Sequence, residues 1–301
     1  MRRRLDVALR IFSDCPPVKL RSNMTTIDHI IIAVSDLAQA SNDYSALLGR
    51  APSWRGIHPN YGTANTLFKL DNVYIELLTP QGEGMAADVI NGILAKRGNC
   101  LGGLVFGTNT AEGFIAHARA KGLEASDPVP GHGTNEISGA ERRWHNMFWD
   151  PAAARGIFSF CIEHDETSTL PDALPTGGEP ISGVDHIVVK TRSADAAKTF
   201  YGEQLGIRLA LEQDVPEWGG TQLFFRASSM SIEVIASDKA PEQDELWGLA
   251  LKTQDIAATH TRLTTSGIKV SEIRDGRKPG TRVCTTKSHS LGVPTLLIQH
   301  L

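Results

Sequence analysis

Hydrophobic and polar positions along this chain fall into short apolar runs separated by amphipathic stretches, and the grammar repeats. Ile27–Val34 is apolar and rich in β-branched residues, the pattern of a buried strand. Ser35 or Asp36 can cap a helix running to Leu48, with Gly49 at the position that ends it. Strands are predicted over Thr66–Leu70 and Val73–Leu78, with Asp71-Asn72 as the turn between them. A second unit follows: a strand over Gly103–Gly107, a helix from the Thr110 cap through Ala120 to Gly122, and strands at Trp144–Trp149 and Ile157–Glu163.

Two more units complete the chain. A strand near His186 precedes a helix over Ala194–Leu205 and strands at Thr221–Arg226 and Met230–Ile235. A strand near Gly248, a helix from Gln254 or Asp255 to about Thr265, and a last strand at Thr295–Gln299 form the fourth. First and third units are in register, since 186 − 29 and 233 − 76 are both 157. Ile27-Asp28-His29-Ile30 recurs as Val184-Asp185-His186-Ile187, and Tyr74-Ile75-Glu76-Leu77 as Ser231-Ile232-Glu233-Val234. Tyr44, Leu48 and Gly49 map to Tyr201, Leu205 and Gly206 at the same offset. Second and fourth units share an offset of 145 at their starts (Gly103 and Gly248) and 136 at their ends (Gly156–His164 and Gly292–His300). The nine-residue difference is read as a longer loop in the second unit, the Gly-, Pro- and His-rich stretch 128–139. Internal repetition at this scale is an organisational signal.

This pattern divides the chain into an N-terminal extension (1–23), a first domain (24–164), a linker rich in Pro and Gly (165–180) and a second domain (181–301). A net charge of −4 argues against a nucleic-acid or anionic-membrane surface. No apolar run reaches the ~20 residues of a membrane helix. Cys15, Cys100, Cys161 and Cys284 are scattered, as expected of free thiols in a reducing, cytoplasmic setting. The expected partner is a small-molecule substrate, with the chain a monomer or homodimer.

A His and a Glu repeated on apolar strands suggest two metal-type sites on one duplicated scaffold. With the Asp-His-Ile start, the Gly at the helix end and the Ile-Glu on a last strand, residues 26–301 resemble the vicinal oxygen chelate superfamily, which includes glyoxalases, bleomycin-resistance proteins and extradiol dioxygenases. His58-Pro59 and Gly62-Thr63-Ala64-Asn65 before Tyr74-Ile75-Glu76 resemble its glyoxalase-like subgroup. The resemblance implies an α+β fold of four βαβββ modules paired into two half-open barrels.

It also implies a divalent metal (Mg, Mn, Ni, Co, Zn or Fe) held by His29, Glu76 and Glu163, and in the second half by His186, Glu233 and Gln299. Gly103 and Gly248 stand where a further ligand would be expected. Glu163 and Glu76 are the candidate proton-transfer groups, with His58, Asn65 and His145 near the substrate. His164 and His300 are assigned to the opposite strand face from Glu163 and Gln299. Trp54, Trp144, Trp149 and Trp218 are candidate walls of a pocket, or core. The implied activity is a glyoxalase-type lyase or isomerase working through an enediolate on a substrate with vicinal oxygens. The alternatives are a non-catalytic binding or resistance protein, and a ring-cleaving dioxygenase, which would need a second His such as His145 or His58.

Overall fold

A computed structural model describes residues 25–217, 219–228 and 230–301. The extension 1–23, Cys15 and Trp218 therefore lie outside the described residues. The first half runs β1 (Thr26–Ala33), α1 (Leu37–Leu48), β2 (Trp54–His58), β3 (Thr63–Lys69), β4 (Tyr74–Pro80), α2 (Met85–Arg97), β5 (Cys100–Gly107), α3 (Ala111–Ala120), β6 (Val129–Asn135), β7 (Glu141–Met147) and β8 (Phe158–His164). The second runs β9 (Gly183–Thr191), α4 (Ala194–Ala197), β10 (Arg208–Val215), β11 (Gly220–Ala227), β12 (Met230–Ser237), β13 (Glu245–Lys252), α5 (Ile256–Thr265), β14 (Arg274–Asp275), β15 (Thr281–Thr286) and β16 (Thr295–His300). The single helix expected over 194–205 is instead α4 continued by a π-helical stretch, Lys198–Gln204.

Local rules set the helix ends. Asp36 accepts from the Gln39 amide and Thr110 from the Gly113 amide, each satisfying a donor that the first helical turn leaves free. Gly49 closes α1 at φ 65°, a left-handed conformation that glycine adopts without a Cβ clash. Gly62 is also required: at φ 66° a Cβ there would lie 2.5 Å from the Glu83 carbonyl oxygen, where the chain crosses toward α2.

The strands of the first half close into a barrel in the order β1-β4-β3-β2-β6-β7-β8-β5. Those of the second form an eight-stranded sheet with free ends, β10-β11-β12-β9-β13-β16-β15-β14. The difference traces to the nine extra residues. The stretch 128–139, read as a loop, instead supplies β6, which pairs with β2 at Gly56↔Asn135 and Ile57↔Thr134 and shuts the barrel. Its counterpart β14 is two residues long and reaches no further than β15.

Strand alternation sends one set of side chains into the barrel and the other outward. The outward set (Ile30, Ile32, Ile75, Leu77, Leu104, Phe106) joins Ile187, Val189, Ile232 and Val234 of the second sheet and the helices in one continuous core. Phe106, Trp149, Phe200 and Tyr201 pack as an aromatic cluster where the halves meet. The inward set (Ile31, Leu78, Val105, Ile162), with Ile90 of α2, forms a separate smaller cluster. Segment 165–182 is not a loose tether. The Ala173 amide donates to the Lys69 carbonyl and the Ile181 amide to the Leu48 carbonyl. The buried Arg50 donates to the carbonyls of Ile181 and Ala173, both at 2.7 Å. Arg50→Ala strands both acceptors and is expected to cost about 3 kcal/mol, read from the urea midpoint at unchanged slope. Cys100, Cys161 and Cys284 are buried free thiols. No helix among the described residues is long and apolar enough to cross a membrane.

Candidate active site in the first barrel

The parallel pairing of β1 with β4 sets His29 beside Tyr74, and Glu76 follows two residues on, facing the same way. The His29 and Tyr74 rings stack with centroids 4.5 Å apart. His29 Nε2 lies 3.2 Å from Glu76 Oε2, and its Nδ1 lies 2.7 Å from Asp28 Oδ1. The other oxygen of Asp28 is 3.0 Å from His164 Nε2. The other oxygen of Glu76 accepts from Asn65 Nδ2 at 2.7 Å, and the same nitrogen lies 3.2 Å from His58 Nε2. One chain of polar contacts therefore runs His164–Asp28–His29–Glu76–Asn65–His58 and ends on Thr63 Oγ1, 3.0 Å from His58 Nδ1.

His29, Glu76, Asn65, His58, Thr63 and His164 line a cavity of about 80 Å³ inside the barrel, with Asp28 behind His29. Phe148, Phe158, Phe160, Trp144, Ile31 and Ile162 make the apolar wall, and Arg142 and Asn146 add polar groups. Burial alone would lower the His29 pKa, but the hydrogen bonds to Asp28 and Glu76 override it and hold the imidazolium up to about 9. Burial would raise Glu76, yet His29, then His58 and Asn65, keep its carboxyl below the ordinary range. Burial lowers His58, leaving a neutral imidazole. At neutral pH the cavity thus holds an imidazolium–carboxylate pair.

The second half repeats the chain. His186 Nε2 lies 3.1 Å from Glu233 Oε2, His186 Nδ1 is 2.8 Å from Asp185, and His300 Nε2 is 2.7 Å from the other Asp185 oxygen. Gln222 donates to Glu233 where Asn65 donates to Glu76, and 222 − 65 is again 157. His186 is likewise raised to about 9, burial opposing and Asp185 and Glu233 prevailing.

The two expected third ligands are elsewhere. On β8 the inward residues are Phe158, Phe160, Ile162 and His164. Glu163 faces out, where its carboxylate accepts from the Ala111 amide at the start of α3, 3.2 Å away. Gln299 does the same for Ile256 at the start of α5. Both cap orphan helix donors, and the face assignment of Glu163 against His164, and of Gln299 against His300, is reversed. His145 also faces away, 3.7 Å from Asp165, whereas His58 and Asn65 do line the cavity. The apolar alternation of Phe158, Phe160 and Ile162 carried this orientation in the sequence. The recurrence of Asp28 as Asp185, and of His164 as His300, marked the rest of the network.

The donor set can be tested against a divalent ion. His29 Nε2 and Glu76 Oε2 converge, and Asp28 orients the imidazole as carboxylates behind metal-bound histidines do. The set stops there. Among the described residues no three His, Cys, Asp or Glu side chains come together to hold an ion. The positions that should complete the set carry Gly103 and outward-facing Glu163. The residues present do not fit the three-ligand site the resemblance implied.

A barrel of paired modules with an interior His–Glu pair defines a class, and comparison with known proteins agrees. Residues 27–184, just over half of the chain, match the family described as Glyoxalase-like domain. Residues 185–285 match the Glyoxalase/Bleomycin resistance protein/Dioxygenase superfamily. The chain belongs to this vicinal oxygen chelate superfamily. It is similar to an ethylmalonyl-CoA/methylmalonyl-CoA epimerase of Cereibacter sphaeroides, 35% identical over 111 residues, which is 37% of this chain and 78% of that protein. In fold it is similar to a mutant of 4-hydroxymandelate synthase from Streptomyces coelicolor, with TM-score 0.64, 15% identity and coverage of 92% and 93% of the two chains. It is also similar to a hypothetical protein from Staphylococcus aureus, with TM-score 0.63, 13% identity and coverage of 91% and 99%.

Proposed function

We propose that the first barrel is the active site of a glyoxalase-type isomerase or lyase that moves a proton on a small substrate bearing adjacent oxygens. The observation that carries this reading is the oriented Asp28–His29–Glu76–Asn65 chain opening into an apolar cavity. Glu76, ionised and steadied at one oxygen by Asn65, takes the proton from the carbon next to a carbonyl. The C–H electrons become the enediolate, whose oxygen is stabilised by the Nε2–H of the His29 imidazolium. Asp28 accepts the Nδ1–H of His29, which fixes the ring orientation. His29 passes its Nε2 proton to the enediolate oxygen and takes the hydroxyl proton from the adjacent one, and protonated Glu76 returns its proton to the former carbonyl carbon. The aromatic wall excludes water from the intermediate. The 35% identity to an epimerase, over 111 residues of this chain, supports proton-transfer chemistry on this fold.

The test is proton NMR in D2O with a panel of 2-hydroxy aldehydes and ketones. Enzyme-dependent loss of the C–H signal next to the carbonyl is expected. Compounds that bind without exchange would leave a binding protein in its place. No step is assigned to a divalent ion, because the donor set ends at His29 and Glu76. Exhaustive EDTA dialysis is therefore expected to leave the exchange rate unchanged. Loss on dialysis with recovery on adding Mn²⁺ or Zn²⁺ would return the metal to the site.

A further inference from the structure

Among the described residues, Arg142 lines the cavity without a carboxylate to answer its charge. It sits on β7 opposite Gly133, is only 6% exposed, and lines the same cavity as His29 and Glu76. Its guanidinium lies 5.8 Å from the Trp54 ring centre and 5.7 Å from that of Tyr74. These ring faces attract a cation but accept few of its N–H bonds. Among the described residues Arg142 has no carboxylate within ion-pair distance, and its buried Nε has no hydrogen-bond partner. The nearby carboxylates are committed elsewhere: Glu76 to His29 and Asn65, Asp28 to His29 and His164. A buried charge without a partner is costly, and folded proteins supply one or bind one.

We infer that Arg142 is the anion-recognising residue of this cavity and that its ligand carries a carboxylate on a flat apolar or aromatic body. The guanidinium is a planar fork that takes both oxygens of a carboxylate. The cavity is walled by Phe148, Phe158, Phe160 and Trp144, which suit a ring or short apolar body. Combined with the proposed proton transfer, on which this inference rests for its location, the substrate class becomes a small carboxylic acid with an adjacent carbonyl or hydroxyl.

Benzoate and benzamide share shape and differ in charge, so they isolate the contact. Calorimetric titration of the wild type is expected to show benzoate binding at least about tenfold tighter than benzamide. Arg142→Met should bind the two alike, and its ligand-free melting temperature should equal or exceed that of wild type, because an unpaired buried charge has gone. Arg142→Lys should keep a reduced preference. A wild type that fails to prefer benzoate overturns the inference. So does an Arg142→Met protein that keeps the preference. Glu76→Gln separates the two readings: it should slow proton exchange by about 10²–10⁴-fold yet retain the benzoate preference. A benzoate preference without exchange in wild type would sink the reaction while leaving Arg142 its role.

Discussion

Glu76→Gln is expected to slow substrate proton exchange by about 10²–10⁴-fold while the fold persists. Gln keeps the volume of Glu and can still meet Asn65 and His29, but it cannot accept a proton from carbon. Glu163→Gln provides the control. Glu163 accepts a backbone bond at the start of α3, and Gln299 already plays that part for α5. That variant should exchange protons at the wild-type rate. The pair thus decides between the two carboxylates that the sequence singled out. Equal losses in both variants would deny Glu76 a specific role as the proton carrier. The alkaline limb of the wild-type rate should fall near pH 9, where His29 loses the proton it holds against burial.

Stability is expected to decline by a few kcal/mol as pH rises from about 6.5 through 9. His29 and His186 are both raised to about 9 in the folded chain, from 6.5 in the unfolded one. Below 6.5 both states hold the proton and the full contribution is present. Above it the unfolded chain releases its protons first, and the advantage is gone once the folded histidines titrate near 9. Asp28, Asp185 and Glu76 behave oppositely: their lowered pKa values add stability above the carboxylate range, lost in acid. Melting temperature should therefore peak between about pH 5 and 6.5. The double variant His29→Gln, His186→Gln should flatten the alkaline slope. A wild-type curve level from pH 6 to 9.5 would mean that the two ion pairs contribute nothing.

Much of this arrangement was legible because it is local or repeated. The caps at Asp36 and Thr110, the glycine at 49, and the β1 and β4 strands follow from residue type and alternation. The His29–Glu76 pair followed from its second copy. What escaped depends on tertiary context. Helix α2 is interrupted by Gly92 and flanked by Gly84 and Gly98, so its pattern is weak, and it forms because Ile90, Ile93 and Leu94 cover the barrel interior. Strand β6 carries Pro130, Gly131 and Gly133 and exists because β2 and β7 pair with it. The facing of Glu163 was inferred from resemblance, although Phe158, Phe160 and Ile162 carried the opposite phase. Arg142 had no sequence signal, since its meaning lies in partners it lacks.

The two-pair join between β2 and β6 has a kinetic meaning. It is the briefest pairing in the barrel, and β2 touches the chamber through His58, whose ring lies against Gly133 of β6. A ring fails first at its weakest clasp, so the backbone amides of this join should exchange with deuterated solvent faster than those of β1 and β4. Bound benzoate should slow them selectively. Among the described residues of the second half the corresponding clasp does not form, and its His186–Glu233 pair stands on a sheet whose edges stay apart, with no ring to open.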